Sequence, residues 1–151
     1  MTQSLSFTDG EQLLTGWGRT CPSAARLVEC SSVEQVQEAI RTAGPRGVLT
    51  RGLGRSYGDA AQSGGATVLN LQAMNAIEFD ESAGTVTAGA GASLDAIMRA
   101  TVPQGAFVPV TPGTRMVTVG GAIGADVHGK NHHVDGTFGS HVKSLTLVDG
   151  T

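Results

Sequence analysis

The chain has no run of lysines and arginines, and its 10 basic against 13 acidic residues leave a net charge of −3. Without a basic patch, nucleic acid is excluded as a natural partner. Cysteine is nearly absent: Cys21 and Cys30 stand without C-x-x-C or metal-ligand spacing, which reads as two packed or unremarkable thiols rather than a bridge or a metal site. No stretch reaches 18 apolar residues, and Met1–Gly10 lacks a cationic start and an apolar run, so neither a membrane span nor a cleavable leader is visible. The single tryptophan, Trp17, is expected in the core. Glycine is what the chain has in excess, 22 of 151 residues or roughly twice the usual share. The glycines fall in separate loops between apolar runs, so they mark tight backbone geometry near a ligand or at turns. At this length one domain with a real core is possible.

The densest of these loops is Thr50-Arg51-Gly52-Leu53-Gly54-Arg55-Ser56-Tyr57-Gly58-Asp59-Ala60, delivered by the short apolar run Gly47–Thr50. Its glycines free the backbone to aim N–H groups at one point, while Arg51, Arg55, Ser56 and Tyr57 add side-chain donors, which is the composition of a phosphate cradle. Two familiar phosphate motifs are excluded. A Walker loop needs Gly-Lys-Ser/Thr, and the only Gly-Lys, at Gly129-Lys130, precedes Asn131. The dinucleotide fingerprint fails because three residues, not two, separate Gly54 from Gly58.

A second small-residue stretch follows Thr111-Pro112-Gly113-Thr114-Arg115. Thr118 is placed to cap a helix over Val119–Asp126 that contains Gly120, Gly121, Gly124 and Ala125, and free N–H groups at its start would suit a pyrophosphate. Val127, His128, Gly129 and Lys130 continue it as a polar loop. His128, His132 and His133 raise a metal reading, but Gly129 and Asn131 break the helix that would align them and no Cys or Glu is close by, so no metal is assigned.

Elsewhere the chain predicts irregular structure over 1–16, a helix opened by the capping box Ser32-Val33-Glu34-Gln35 and stopped by Gly44-Pro45, and strands at Gly47–Thr50 and Thr67–Leu71. Ile77–Phe79 and Thr85–Ala88 read as a hairpin around Asp80–Gly84, Ser93 as the cap of a short helix carrying Leu94, Ile97 and Met98, and Phe107–Val110 as an edge strand or extended segment. Ser144–Val148 reads as a strand before an Asp149-Gly150 turn whose return strand is missing, so the chain reads as a piece of a longer one, its last strand an open edge. With no regular βαβ period, the class is α+β.

Taken together, Arg51–Asp59 and Thr118–His133 resemble the two FAD-contacting loops of the vanillyl-alcohol oxidase and p-cresol methylhydroxylase flavoproteins, and Leu14–Thr20, Pro112–Arg115, Val117–Ile123 and His128–His133 add to a narrower likeness. More narrowly they resemble the decaprenylphosphoryl-β-D-ribose oxidases, the flavin subunits of a 2′-epimerase in cell-wall arabinan precursor synthesis. The resemblance implies one FAD-binding domain over 1–151, incomplete at its C-terminal end and lacking the substrate cap, and therefore inactive alone. It implies FAD held by Thr50–Ala60, Gly113, Thr118–Gly121 and Ala125–His128, with Tyr57, His128 and Lys130 nearest the ring and substrate. The reaction it implies takes a hydride from the 2′-hydroxyl of a lipid-linked ribose, with an NADH-dependent reductase as partner and a location in the cytoplasm or on the cell envelope. Arg55 stands where relatives with covalently attached flavin carry a histidine, and no histidine precedes His128, so the flavin is expected to be non-covalent. Two other functions fit the loops: an oxidase of the same fold acting on an alditol, aldonolactone or hydroxy acid, or a non-catalytic nucleotide-binding module.

Overall fold

The computed structural model describes residues 10–150. The irregular structure expected for residues 1–9 lies outside that range. Four strands form the main sheet in the order β1-β2-β4-β3: β1 is Glu11–Leu14, β2 Ser23–Glu29, β3 Val48–Arg51 and β4 Thr67–Asn70. β1 runs antiparallel to β2, whereas β2, β4 and β3 are mutually parallel, with Leu27 opposite Val68 and Leu49 opposite the same residue from the other side. β1 and β2 replace the irregular chain expected before Trp17 and the unassigned stretch after it. One strand-helix-strand unit is thus present, β2 to β3 through helix α1 (Val33–Arg41).

Strand β4 organises the interior because its successive side chains point to opposite faces. Val68, fully buried, joins Leu14 and Ala25, with Leu27 and Leu49 packed alongside. Leu69, its neighbour and also fully buried, joins Cys30 and Val36, backed by Val28, Ala39, Ile40 and Val48. Val36 comes from α1, whose start follows the expected capping chemistry: Ser32 Oγ accepts the Gln35 N–H at 3.3 Å. The reciprocal arm lands one residue early, Gln35 Oε1 accepting the Ser31 N–H at 2.7 Å.

The remainder is built on a hairpin, β5 (Ile77–Asp80) with β6 (Thr85–Ala88), and on helix α2 (Leu94–Thr101). Leu94 and Ile97 of α2 are buried, and Ser93 caps it through the Ala96 N–H at 3.1 Å. The return chain runs antiparallel to the α2 entry: Leu94 donates to the Val117 carbonyl, Asp95 to that of Arg115 and Val119 to that of Ala92. This ladder sets Thr118, cap of α3 (Val119–Gly124), opposite Ser93, cap of α2. A one-turn helix α4 (His132–Asp135) follows. The strand expected at Ser144–Val148 is not formed, and of the two readings of Phe107–Val110, edge strand or extended segment, the strand is not the one taken. Phe107–Val110 is irregular, with Phe107 exposed and Val110 buried. Ser144–Val148 has no ladder, Leu145 and Leu147 are exposed, and only Val148 reaches the Leu69 cluster.

Candidate functional site

β3 ends at Arg51, and the connection to β4 leaves from the carboxyl end of the parallel strands, where open sheets of this kind take ligands. The loop is held from behind by the segment Thr15–Gly18. Trp17 N–H donates to the Ser56 carbonyl at 2.6 Å, and Gly18 N–H to that of Tyr57 at 3.2 Å. A Cβ at Gly16 would fall on the carbonyl oxygens of Ser56 and Gly58, and one at Gly18 on that of Tyr57, so both positions need glycine for the two backbones to approach. Trp17 is not the core residue expected of a lone tryptophan. Its ring is 54% exposed and lies under the Arg55 guanidinium, 4.7 Å from the ring centroid.

Arg51 is tied inward. Its Nη1 donates to the Ala61 carbonyl at 2.7 Å and its Nη2 to that of Thr15 at 2.8 Å, which corrects its expected role as a donor facing the phosphate. Desolvation lowers its pKa below the usual arginine value. Its guanidinium packs beneath Gly54, whose φ of +65° is open to glycine at no steric cost. With its carbonyls engaged at Ser56 and Tyr57, the loop leaves its donors unspent: among the described residues, no backbone N–H from Gly52 to Asp59 finds an acceptor. Neither Arg51 nor Arg55 has an acidic partner there. A run of unspent N–H groups over an uncompensated cation fits a group carrying two negative phosphates.

The second stretch touches the first directly. A Cβ at Gly52 would overlap the Thr118 side chain, so the loop and the cap of α3 are in contact. The helix start does not offer the free donors expected of it. Val119 and Gly120 N–H groups go to the Ala92 and Ala90 carbonyls at 2.8 and 2.9 Å, and the Gly121 N–H goes to Thr118 Oγ1 at 3.2 Å. A Cβ at Gly120 would sit tightly, 3.1 Å from the Ala90 carbonyl oxygen, whereas Gly58 and Gly113 face open space. Beyond α3, Ala125 is exposed, Asp126 has a φ of 41° and its Oδ1 accepts the Gly139 N–H, Val127 receives the Phe138 N–H, and His128 bridges to Thr137. The His128 and His132 rings meet edge to face at 5.3 Å. Tyr57, His128 and Lys130 are exposed, and their side chains make no hydrogen bond to a described residue. Among the described residues no three His, Cys, Asp or Glu side chains converge as a metal would require.

A hollow of about 440 Å³ adjoins the loop, lined by Thr20–Ser23, Gly58, Asp59, Gln62 and Gly64. Ser23 Oγ is buried there without a hydrogen-bond partner, and Gln62 Nε2 reaches the Cys21 carbonyl at 2.6 Å. Reasoning from the two loops alone passes over Thr15, Gly16, Gly18 and Ala61 as parts of this site. The signal for the first three is the Gly16-Trp17-Gly18 spacing, two glycines flanking an aromatic residue, and Ala61 carries none.

Comparison with known proteins agrees with this geometry. Residues 24–151 match the FAD binding domain family. Decaprenylphosphoryl-beta-D-ribose oxidase of Mycolicibacterium smegmatis is 52% identical over 146 residues, covering 94% of this chain and 32% of that protein. The chain therefore spans about a third of that relative's length. Among solved structures, 6-hydroxy-D-nicotine oxidase of Arthrobacter nicotinovorans superposes with a TM-score of 0.71 at 22% identity, over 83% of this chain and 28% of that one. Cholesterol oxidase of Brevibacterium sterolicum gives 0.67 at 21%, over 79% and 24%. These two likenesses carry the fold, which is that of the vanillyl-alcohol oxidase and p-cresol methylhydroxylase flavoenzymes with its expected mixture of helices and sheets. The chain belongs to the FAD binding domain family, and its cofactor is FAD.

Proposed function

We propose that the chain is the cofactor-binding part of an oxidase that converts the 2′-hydroxyl of a decaprenylphosphoryl ribose to a ketone, in cell-wall arabinan precursor synthesis. The observation that carries the cofactor reading is the run of N–H groups from Gly52 to Asp59 with no acceptor among the described residues. Support for the substrate is the 52% identity to the Mycolicibacterium smegmatis enzyme. FAD, when bound, supplies the hydride acceptor. The Gly52–Asp59 N–H groups would take the pyrophosphate oxygens. Arg55, steadied over Trp17, would add a fixed cation beside them. Thr118–Gly121 would line the site with backbone and small side chains rather than with free donors. Gly113 and Ala125–His128 would complete it, and the exposed side chains of Tyr57, His128 and Lys130 would face the ring and substrate. Arg55 is no nucleophile, so the flavin would be held without a covalent bond. An NADH-dependent reductase that reduces the ketone from its other face would be the partner, meeting the lipid substrate at a membrane surface on the cytoplasmic or envelope side. No helix among the described residues is long and apolar enough to cross a membrane.

The test is to add decaprenylphosphoryl ribose anaerobically to the protein at its native length. Bleaching of the yellow colour is expected with this sugar and not with alditols, aldonolactones or hydroxy acids. Bleaching by one of those instead would move the substrate elsewhere in the fold, and a colourless protein that retains ADP would make it a binding module. Lys130→Ala should lower kcat/KM without changing the flavin spectrum. An unchanged kcat/KM would return Lys130 to a solvated surface.

A further inference from the structure

We infer that Arg51 is a positioning residue, which sets the cofactor loop in its binding shape from beneath by bridging the Thr15 and Ala61 carbonyls. The inference rests on the FAD reading above. The loop leaves β3 at Arg51 itself and returns past Ala61, so a bond from Arg51 to the Ala61 carbonyl, 2.7 Å long and ten residues away, closes it at its base. The second bond, 2.8 Å to Thr15, anchors that base to the segment whose next residues, Trp17 and Gly18, hold the Ser56 and Tyr57 carbonyls. One guanidinium therefore fixes both the closure of the loop and its seat. Gly54 sits on it in the left-handed region, and any side chain at Gly54 would displace it.

A planar fork can hold two carbonyls at once, and an ammonium cannot reproduce that geometry. The charge matters as well. Burial lowers the pKa of Arg51, so the cation is held there at a cost in hydration that no described carboxylate offsets. An anion over the loop would offset it, which links the strut to occupancy of the site. A strut with only a structural role would lower thermal stability alike with and without ligand.

The experiment compares wild type, Arg51→Met and Arg51→Lys in the full chain, measuring Kd for FAD and for riboflavin well below the melting temperature, and Tm with and without FAD. Arg51→Met is expected to weaken FAD about tenfold or more, with riboflavin changed less, and to shrink the rise in Tm that FAD causes. Arg51→Lys, which keeps the charge and loses the fork, is expected to fall between. A folded Arg51→Met with wild-type FAD affinity would overturn the inference. Should that variant not fold, wild-type affinity in Arg51→Lys would overturn it equally. A wild-type chain with no affinity for FAD would overturn the FAD reading itself. Selective weakening in the variants supports the strut.

Discussion

Gly52 and Thr118 are 66 positions apart by their numbers, and their contact joins the two glycine stretches into one site. A methyl group at Gly52 would press on the Oγ1 and Cγ2 of Thr118, so Gly52→Ala should destabilise the chain by about 1–3 kcal/mol, as overpacking does. Thr118→Ala alone should cost about 1 kcal/mol through the lost cap. In the double variant the two costs should not add, because removing the threonine makes room for the methyl. Urea denaturation of the four proteins checks this, and simple additivity would contradict the contact. The thiols differ in the same concrete way. Cys30 is fully buried, and its pKa is raised by burial first and by Glu29 second, while Cys21 is exposed. One thiol per chain should alkylate in native buffer and two in denaturant. Equal reaction of both in native buffer would contradict the packing. At this scale the sequence was informative where a residue type has one use, as with Ser32, Ser93 and Thr118 at helix starts. It misled at Trp17, because nothing in a lone tryptophan says that an arginine 38 positions later will cover its face.

Helices and strands differed in how much of them was visible. α1, α2 and α3 carry their caps and apolar spacing locally, and all three start where the sequence places them. β2 was invisible because Ser23-Ala24-Ala25-Arg26 has little intrinsic strand preference, and its ladder to β4 comes from residues some 40 positions away. Ser144–Val148 failed in the opposite direction: Leu145-Thr146-Leu147-Val148 has strand-forming residues, and no strand among the described residues takes them up. The α3 N-terminus looked like an anion site from its sequence, and the ladder from Ala90 and Ala92 consumed its donors.

That ladder also rests on one carboxylate. Asp95 accepts from Arg99 at 2.8 Å and from Arg115 at 2.7 Å, tying α2 to the segment that leads into Thr118. The Arg99 hydrogen bond foremost, then the charges of Arg99 and Arg115, hold its carboxyl below the usual aspartate range. A depressed pKa contributes stability above the unfolded value of about 4 and loses it as pH falls through the folded one. Asp95→Asn should therefore be less stable than wild type at neutral pH, with the gap closing in acid. Urea midpoints near pH 7 and pH 3 check it. A gap as wide in acid would contradict the ion-pair account.

At the scale of the whole molecule, two sheets and four short α-helices among the described residues bring the Thr15–Gly18 strap, a glycine loop and a capped helix to one place, and the chemistry there is that of an anion cradle. Acid precipitation of the holoprotein should release its flavin into the supernatant, since Arg55 cannot bond to the ring. Yellow colour that stays with the pellet would overturn that expectation. The cradle itself is tested most directly by calorimetric titration of the chain with FAD and, under the same conditions, with riboflavin, which lacks the pyrophosphate. The unspent N–H groups of Gly52–Asp59 over Arg51 predict saturable one-to-one binding of FAD and an affinity for riboflavin at least about a hundredfold weaker, as the loss of two or more charge-assisted hydrogen bonds implies. Riboflavin binding as tightly as FAD, or no saturable heat from FAD, would contradict it.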